Sequence, residues 1–310
     1  MDDGSSDGTE ELLKDIKTKH DNFVYFKQDN KGMFPAWNTG VALACGQIIV
    51  FTDSDCFAPD NFLESIVKHF ENYPDMAACT WSTIPVFRNK LFAPLSKYYK
   101  SVHERGDGND RVFSGLNPFM VFSSDSTAIR KDIFLSIGGF SSDQKFMRSG
   151  GGVGADSALG LKLLAAGYTI RSTDKIHIYH YQRNAIKKLI IRHYAFGWIA
   201  AANFKTYFEG YSVISLPFDK HICRSNTPFT FFLRFDTFKI LSTIIILLLF
   251  SHEIGAILLV LYFIGSCRTM KMLGGSFVGC LSYKLYRYLI SASSFFGYVS
   301  GSIQNGVIYL

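Results

Sequence analysis

Ile48-Ile49-Val50-Phe51-Thr52-Asp53-Ser54-Asp55 is an unbroken apolar run that ends in two carboxylates spaced i, i+2. A short apolar run closed by a polar turn reads as a buried strand, here residues 47–52. Residues 23–26 read as a second strand. Residues 10–17, 33–44 and 61–71 carry helical periodicity and helix-start residues. Strands that alternate with helices predict βαβ units, an α/β class and a mostly parallel sheet. Carboxylates at the C-terminal end of such a strand stand where open α/β sheets bind ligands. One of the pair can meet a divalent cation while the other meets a sugar or ribose hydroxyl. Mg2+ and Mn2+ favour such oxygen ligands and keep positions open for phosphate.

Three further stretches carry chemistry. The first is Asp2-Asp3-Gly4-Ser5-Ser6-Asp7-Gly8-Thr9, whose carboxylates can accept hydrogen bonds from a base N–H or a ribose hydroxyl. The second is Gly150-Gly151-Gly152-Val153-Gly154-Ala155-Asp156, a glycine loop that delivers Asp156 to the start of a helix running over 157–166. A carboxylate on such a loop suits a general base. The third is the apolar stretch 176–181 with His177 and His180; His180 suits a metal ligand or a phosphate contact. Each has a structural alternative: a turn with a helix cap at 2–9, an N-cap at Asp156, a buried strand histidine at 180.

Taken together and in this order, the pieces resemble the family 2 glycosyltransferases of the GT-A fold. The matching residues are DDGSSDGT (2–9) and N-K-G followed by A-x-N-x-G and A-x-G between Asn30 and Gly46. They continue with T-D-S-D (52–55), G-G-F (138–140), G-A-D with L-x-L-K-L-L-A-A-G-Y behind it (154–168), and His180. The resemblance covers roughly residues 1–200 and implies a Rossmann-like mixed sheet that binds a nucleotide-diphosphate sugar. It implies that Asp2 or Asp3 contacts the nucleoside, that Lys31 approaches the donor, and that Asp53 faces ribose or sugar. Asp55, with His180, would hold Mg2+ or Mn2+, and Asp156 would take the acceptor's proton in an inverting transfer. The acceptor implied is lipid-linked or a polysaccharide. Two departures stand out. The family's Glu-Asp pair reads Ala155-Asp156 here, which keeps the base and removes an acceptor contact. The family also places a strand and helix ahead of its DDGS motif, so the chain is expected to be an N-terminally truncated member.

Composition bounds the remainder. The chain has 310 residues, of which 48% are hydrophobic and 19% charged, which excludes intrinsic disorder. A net charge of +6 comes without a nucleic-acid recognition motif, and nucleic-acid binding is not expected. The six cysteines (Cys45, Cys56, Cys79, Cys223, Cys267 and Cys280) form no CxxC pair and read as reduced thiols. Residues 240–265 are apolar apart from Ser251, His252 and Glu253, and residues 288–310 carry no charge. Both have the roughly 20-residue length of a membrane span. Basic residues flank the first stretch on both sides, which favours a hairpin with its ends on the cytoplasmic side. Gly297 and Gly301, like Gly275 and Gly279, have the GxxxG spacing that lets helices approach closely. Arg183, Lys187, Lys188 and Arg192, with Tyr194, Phe196, Trp198, Tyr207 and Phe208, suit an anionic lipid interface.

The organisation expected is a catalytic domain over 1–205, an interfacial linker over 206–235 and membrane helices over 236–310. The protein would be multi-pass, with its catalytic domain cytoplasmic. The alternatives are a nucleotidyltransferase on a related sheet, and an inactive truncated fragment or membrane scaffold.

Overall fold

The run at 48–51 is a strand, β1 (Ile48–Phe51), in the computed structural model of the chain. The structure describes residues 1–88, 92, 93, 95, 96, 100, 110–118, 120, 122–143, 154–182, 186–208, 211–215, 220–224, 231–234 and 277–309. The helices in chain order are α1 (Thr9–Lys19), α2 (Met33–Leu43), α3 (Phe62–Asn72), α4 (Lys131–Ser136), α5 (Ala155–Ala165), α6 (Ile186–Tyr207) and α7 (Phe277–Asn305). The further strands are β2 (Cys56–Phe57), β3 (Met76–Phe87), β4 (Arg111–Ser114), β5 (Thr127–Arg130), β6 (Thr169–Gln182), β7 (Tyr211–Ser215), β8 (Lys220–Arg224), β9 (Phe231–Arg234) and β10 (Ile308–Tyr309).

Two compact units hold these elements. The first comprises Met1–Phe51, Pro74–Thr80 and Val112–Arg171; the second comprises Thr52–Tyr73, Trp81–Arg111 and Ser172–Leu310. In the first, β1 pairs with β5 from Ile48 opposite Arg130 to Phe51 opposite Thr127. β5 pairs in turn with β3, Ala78 lying opposite Ile129. Both pairings are antiparallel, and this corrects the mostly parallel sheet expected from strand–helix alternation. Alternation constrains neighbours in sequence, whereas β5 arrives from a distant segment and lies between β1 and β3.

The expected strand over 23–26 is also corrected. It makes no ladder, only a single parallel bridge between Asp2 and Lys27. Val24 and Phe26 alternate with Phe23 and Tyr25 as a strand would, yet both are exposed and so gain little from pairing.

The core of the first unit is aromatic. Phe34, Phe51, Phe134 and Phe140 are buried, with the Phe140 ring 5.1 Å from that of Phe51, 5.3 Å from Phe34 and 5.4 Å from Phe134. The G-G-F motif holds this cluster. Gly138 and Gly139 have φ of 77° and 62°, which favours glycine. Asn38 clasps the turn, donating from Nδ2 to the Phe140 carbonyl and accepting the Phe140 N–H at Oδ1.

In the second unit, β2 pairs antiparallel with β6. β7, β8, β9 and β10 form a four-stranded sheet in the order β10-β9-β7-β8. Helices α6 and α7 cross at glycine contacts. A Cβ at Gly297 would lie 2.0 Å from the Tyr194 carbonyl oxygen, and one at Gly197 would lie 2.1 Å from that of Ser294. Gly301 likewise faces the Trp198 carbonyl at 2.5 Å. The Gly297/Gly301 spacing does serve close helix packing. Gly275 lies outside the described residues.

The expectation of a multi-pass membrane protein is overturned. No helix among the described residues is long and apolar enough to cross a membrane. Residues 240–265 lie outside the described residues. Residues 288–310 do not form one continuous helix: α7 stops at Asn305, Gly306 turns the chain, and Ile308–Tyr309 is a strand. Lack of charge alone misleads here, because serines dilute the run. Ser293 and Ser302 are buried, Ser293 donating to the Ile190 carbonyl and Ser302 donating to the Tyr309 carbonyl at 3.0 Å. Of the aromatic residues expected at a lipid interface, Phe208 is instead 1% exposed and stacks on Phe204.

Candidate active site

The N-terminal acidic motif folds on itself within the first unit. Asp2 is 3% exposed. Its backbone N–H donates to the Phe26 carbonyl, and its own carbonyl accepts the Gln28 N–H, both at 2.9 Å. Its carboxylate accepts the Ser5 N–H at 2.8 Å and the Tyr25 hydroxyl at 2.9 Å. Hydrogen bonding from Ser5, and then from Tyr25, holds the Asp2 carboxyl down to about 2. The Tyr25 hydroxyl responds in the opposite sense, pushed up to about 12 by burial and by its bond to Asp2. Asp3 organises the next loop. It accepts the backbone N–H of Lys31 at 2.9 Å, that of Gly32 at 2.7 Å and the Gln28 side-chain amide at 2.8 Å. Lys31, whose side chain is exposed, is thereby tied to the acidic motif at the entrance to α2.

Asp156 also belongs to the first unit and lies in the first turn of α5. It is 9% exposed. One carboxylate oxygen accepts the Ser124 N–H and hydroxyl, both at 3.3 Å, and the other accepts the Ser157 N–H at 2.7 Å. Burial outweighs these bonds and raises the Asp156 carboxyl above the ordinary aspartate range. A carboxylate so raised is a stronger proton acceptor than one in water, as a general base requires. It makes no side-chain cap to α5, whose N-cap is Gly154.

The strand-end carboxylates lie in the second unit. Asp53 is half-buried and its carbonyl accepts the Cys56 N–H at 3.1 Å, closing a tight turn. That turn sets Asp55 beside β6, where the Asp55 carbonyl accepts the Tyr181 N–H at 3.0 Å. Asp55 Oδ1 stands 3.1 Å from His180 Nε2. Asp55, Cys56 and His180 each offer a ligand atom, and these three atoms lie within 4.8 Å of one another. Oxygen, sulfur and nitrogen donors at such separations fit a divalent transition cation.

The structure thus joins Asp2, Asp3 and Lys31 in one hydrogen-bonded motif, and Asp55 with His180 in one cluster. Sequence reading missed three partners: Tyr25 on Asp2, Ser124 on Asp156, and Cys56 beside Asp55. Tyr25 and Ser124 are remote in sequence and give no local signal. Cys56 adjoins the acidic pair, yet a strand cysteine ordinarily packs as a small hydrophobe.

Residues 1–138 match the family model Glycosyl transferase family 2. The chain is 24% identical over 216 residues to glucosyl-dolichyl phosphate glucuronosyltransferase of Haloferax volcanii, a match spanning 68% of this chain and 64% of that protein. It is 24% identical over 207 residues to succinoglycan biosynthesis protein ExoA of Rhizobium meliloti, spanning 66% of this chain and 59% of that protein. The chain therefore spans less than two thirds of the length of these relatives. Among solved structures, mannosyltransferase PcManGT from Pyrobaculum calidifontis, in complex with GDP-Man and Mn2+, is similar at a TM-score of 0.50 and 19% identity, over 98% of this chain and 76% of that one. That likeness concerns the fold, a mixed α/β architecture of GT-A type. Residues 1–138 thus resemble a glycosyl transferase family 2 domain, and the likeness to PcManGT is one of fold.

Proposed function

We propose that the chain is an inverting glycosyltransferase that moves a sugar from a nucleotide-diphosphate donor to a lipid-linked or glycan acceptor. Asp2 and Asp3 serve the nucleoside side of the donor, Lys31 its approach, and Asp53 a ribose or sugar hydroxyl. Asp55 and His180 hold a divalent cation. When bound, the cation supplies positive charge for the departing nucleoside diphosphate. Asp156 takes the acceptor hydroxyl's proton as that oxygen bonds to the anomeric carbon and the bond to the diphosphate breaks. The raised affinity of Asp156 for a proton supports this role. Similarity to a glucuronosyltransferase of glucosyl-dolichyl phosphate and to a succinoglycan biosynthesis protein supports the acceptor class.

The observation that carries the reading is the 3.1 Å approach of Asp55 to His180 at the end of the TDSD segment, in a chain whose residues 1–138 match the family 2 model. The test is turnover and calorimetric binding of a panel of nucleotide sugars with Mn2+ or Mg2+, comparing the full chain with Asp55→Ala. Cation-dependent donor binding is expected in the parent and lost in the variant. Undiminished binding in a folded Asp55→Ala variant would refute the cation assignment.

A further inference from the structure

We propose that Cys56 is a third protein ligand at the cation cluster, and that its thiolate biases the cluster toward Zn2+ and Cd2+ over Mg2+. This rests on the assignment of Asp55 and His180 as cation ligands.

The strand register carries the argument. Cys56 lies directly opposite His180 across the antiparallel β2–β6 pair. Directly opposed residues project to the same face, and the next pair along projects to the other. Phe57 and Tyr179, the next pair, stack on each other at 4.7 Å with rings inclined by 8°. The Cys56 sulfur and the His180 imidazole therefore share the face opposite that aromatic stack. Asp55 is fixed to the same ribbon by the hydrogen bond from Tyr181 and brings Oδ1 to 3.1 Å from His180 Nε2. All three ligand atoms fall within 4.8 Å of one another.

Burial grades across the cluster. His180 is buried, Cys56 is half-buried, and the Asp55 side chain is 47% exposed. The softer donors thus lie inward and the hard oxygen faces water. Mg2+ favours an octahedral oxygen shell and gains little from sulfur. Zn2+ and Cd2+ accept an S, N, O set, and three protein ligands leave a tetrahedral position open. Binding releases the thiol proton to solvent as the sulfur–metal bond forms. A Zn2+ ion held this way competes with Mn2+ or Mg2+ for Asp55 and His180, so the thiol sets which cation occupies the cluster.

The experiment is titration of the full chain, its Cys56→Ser variant and its Asp55→Ala variant with Cd2+, Zn2+ and Mn2+. Calorimetry and near-ultraviolet absorption are the readouts, with circular dichroism reporting the fold. The parent is expected to show a thiolate-to-Cd2+ charge-transfer band. Cys56→Ser should lose that band and bind Cd2+ and Zn2+ at least about tenfold more weakly, the usual scale for a weakened ligand set. It should keep Mn2+ affinity within about threefold, since a hard cation draws little from sulfur. Asp55→Ala should lose all three cations. An unchanged band and unchanged Cd2+ affinity in Cys56→Ser, with Mn2+ binding intact, would overturn the thiol's role and leave the Asp55–His180 assignment standing. Absence of any cation binding to the parent would overturn both. Should Cys56→Ser fail to fold, alkylation of the parent chain decides, mapped by peptide mass. Zn2+ should slow modification of Cys56 but not of exposed Cys45; equal Cys56 rates with and without Zn2+ overturn the proposal.

Discussion

At the scale of single residues, the two best-defined carboxylates are perturbed in opposite directions, and the signs separate their roles. Asp2 is lowered to about 2 from an ordinary 3.8. Its contribution to stability is complete above the unfolded value and disappears as pH falls through the folded one. Asp2→Asn should therefore flatten the dependence of unfolding free energy on pH between those two values, followed by denaturant titration. Tyr25→Phe removes one bond to the same carboxylate and should shift the acid limb of that dependence in the same direction, by less. Asp156 is raised by burial, so the sign reverses: its charged form is disfavoured in the folded state, and stability declines as pH rises through its folded value. Asp156→Asn should be at least as stable as the parent at neutral pH, with the gap closing in acid. The same substitution should cut transfer by a factor on the order of 10² to 10⁴ while donor affinity stays nearly unchanged. Single-turnover rates and calorimetry measure the two effects separately. Transfer within about tenfold of the parent would assign the base to another group.

Between helices, the crossing of α6 and α7 depends on absent side chains. A Cβ on Gly297 would stand 2.0 Å from a backbone oxygen, and backbone cannot swing aside as a flexible side chain can. Gly297→Val should force the helices apart and destabilise by about 1–3 kcal/mol or more, the range for overpacking. Gly8→Ala provides the control, because nothing lies within 4 Å of the added carbon; at the N-cap of α1 its effect should stay within about 1 kcal/mol. Thermal melts of the two variants check the contrast, and an equal loss in both would refute the close-approach argument. This crossing also marks how far sequence reading reached. The spacing of Gly297 and Gly301 was legible, as were α1, α2, α3 and β1, each within two residues, because capping and periodicity are local. The medium around α7 was not legible. A charge-free run of serine, glycine and aromatic residues reads as a span from sequence alone, and the bond from Ser293 to Ile190 and the strand after Gly306 appear only in the fold. The antiparallel insertion of β5 was equally hidden, since its partners Ile48–Phe51 and Ala78–Thr80 are remote in sequence.

Over the whole molecule, the acidic motifs divide between two compact units. Asp2, Asp3, Lys31 and Asp156 belong to one; Asp53, Asp55 and His180 belong to the other. Each motif was legible as a string, since DDGSSDGT, TDSD and GAD lie in adjacent residues. Their partners Tyr25, Ser124 and Cys56 became visible only once the chain had folded. The division gives a thermodynamic prediction. A cation that binds only the folded state stabilises it by mass action, about 2.7 kcal/mol at a hundred times its dissociation constant. Mn2+ should therefore raise the melting temperature of the parent chain, with the shift growing logarithmically in Mn2+ concentration. The ligands proposed for the cation all lie in the second unit, so Asp55→Ala should abolish the shift. Asp156→Asn alters a group in the first unit and should leave the shift as large as in the parent, although transfer is lost. Differential scanning calorimetry of the three proteins over a series of Mn2+ concentrations reads this directly. A shift retained in Asp55→Ala would mean that Mn2+ is held elsewhere. A shift lost in Asp156→Asn would mean that this carboxylate itself takes part in holding the cation.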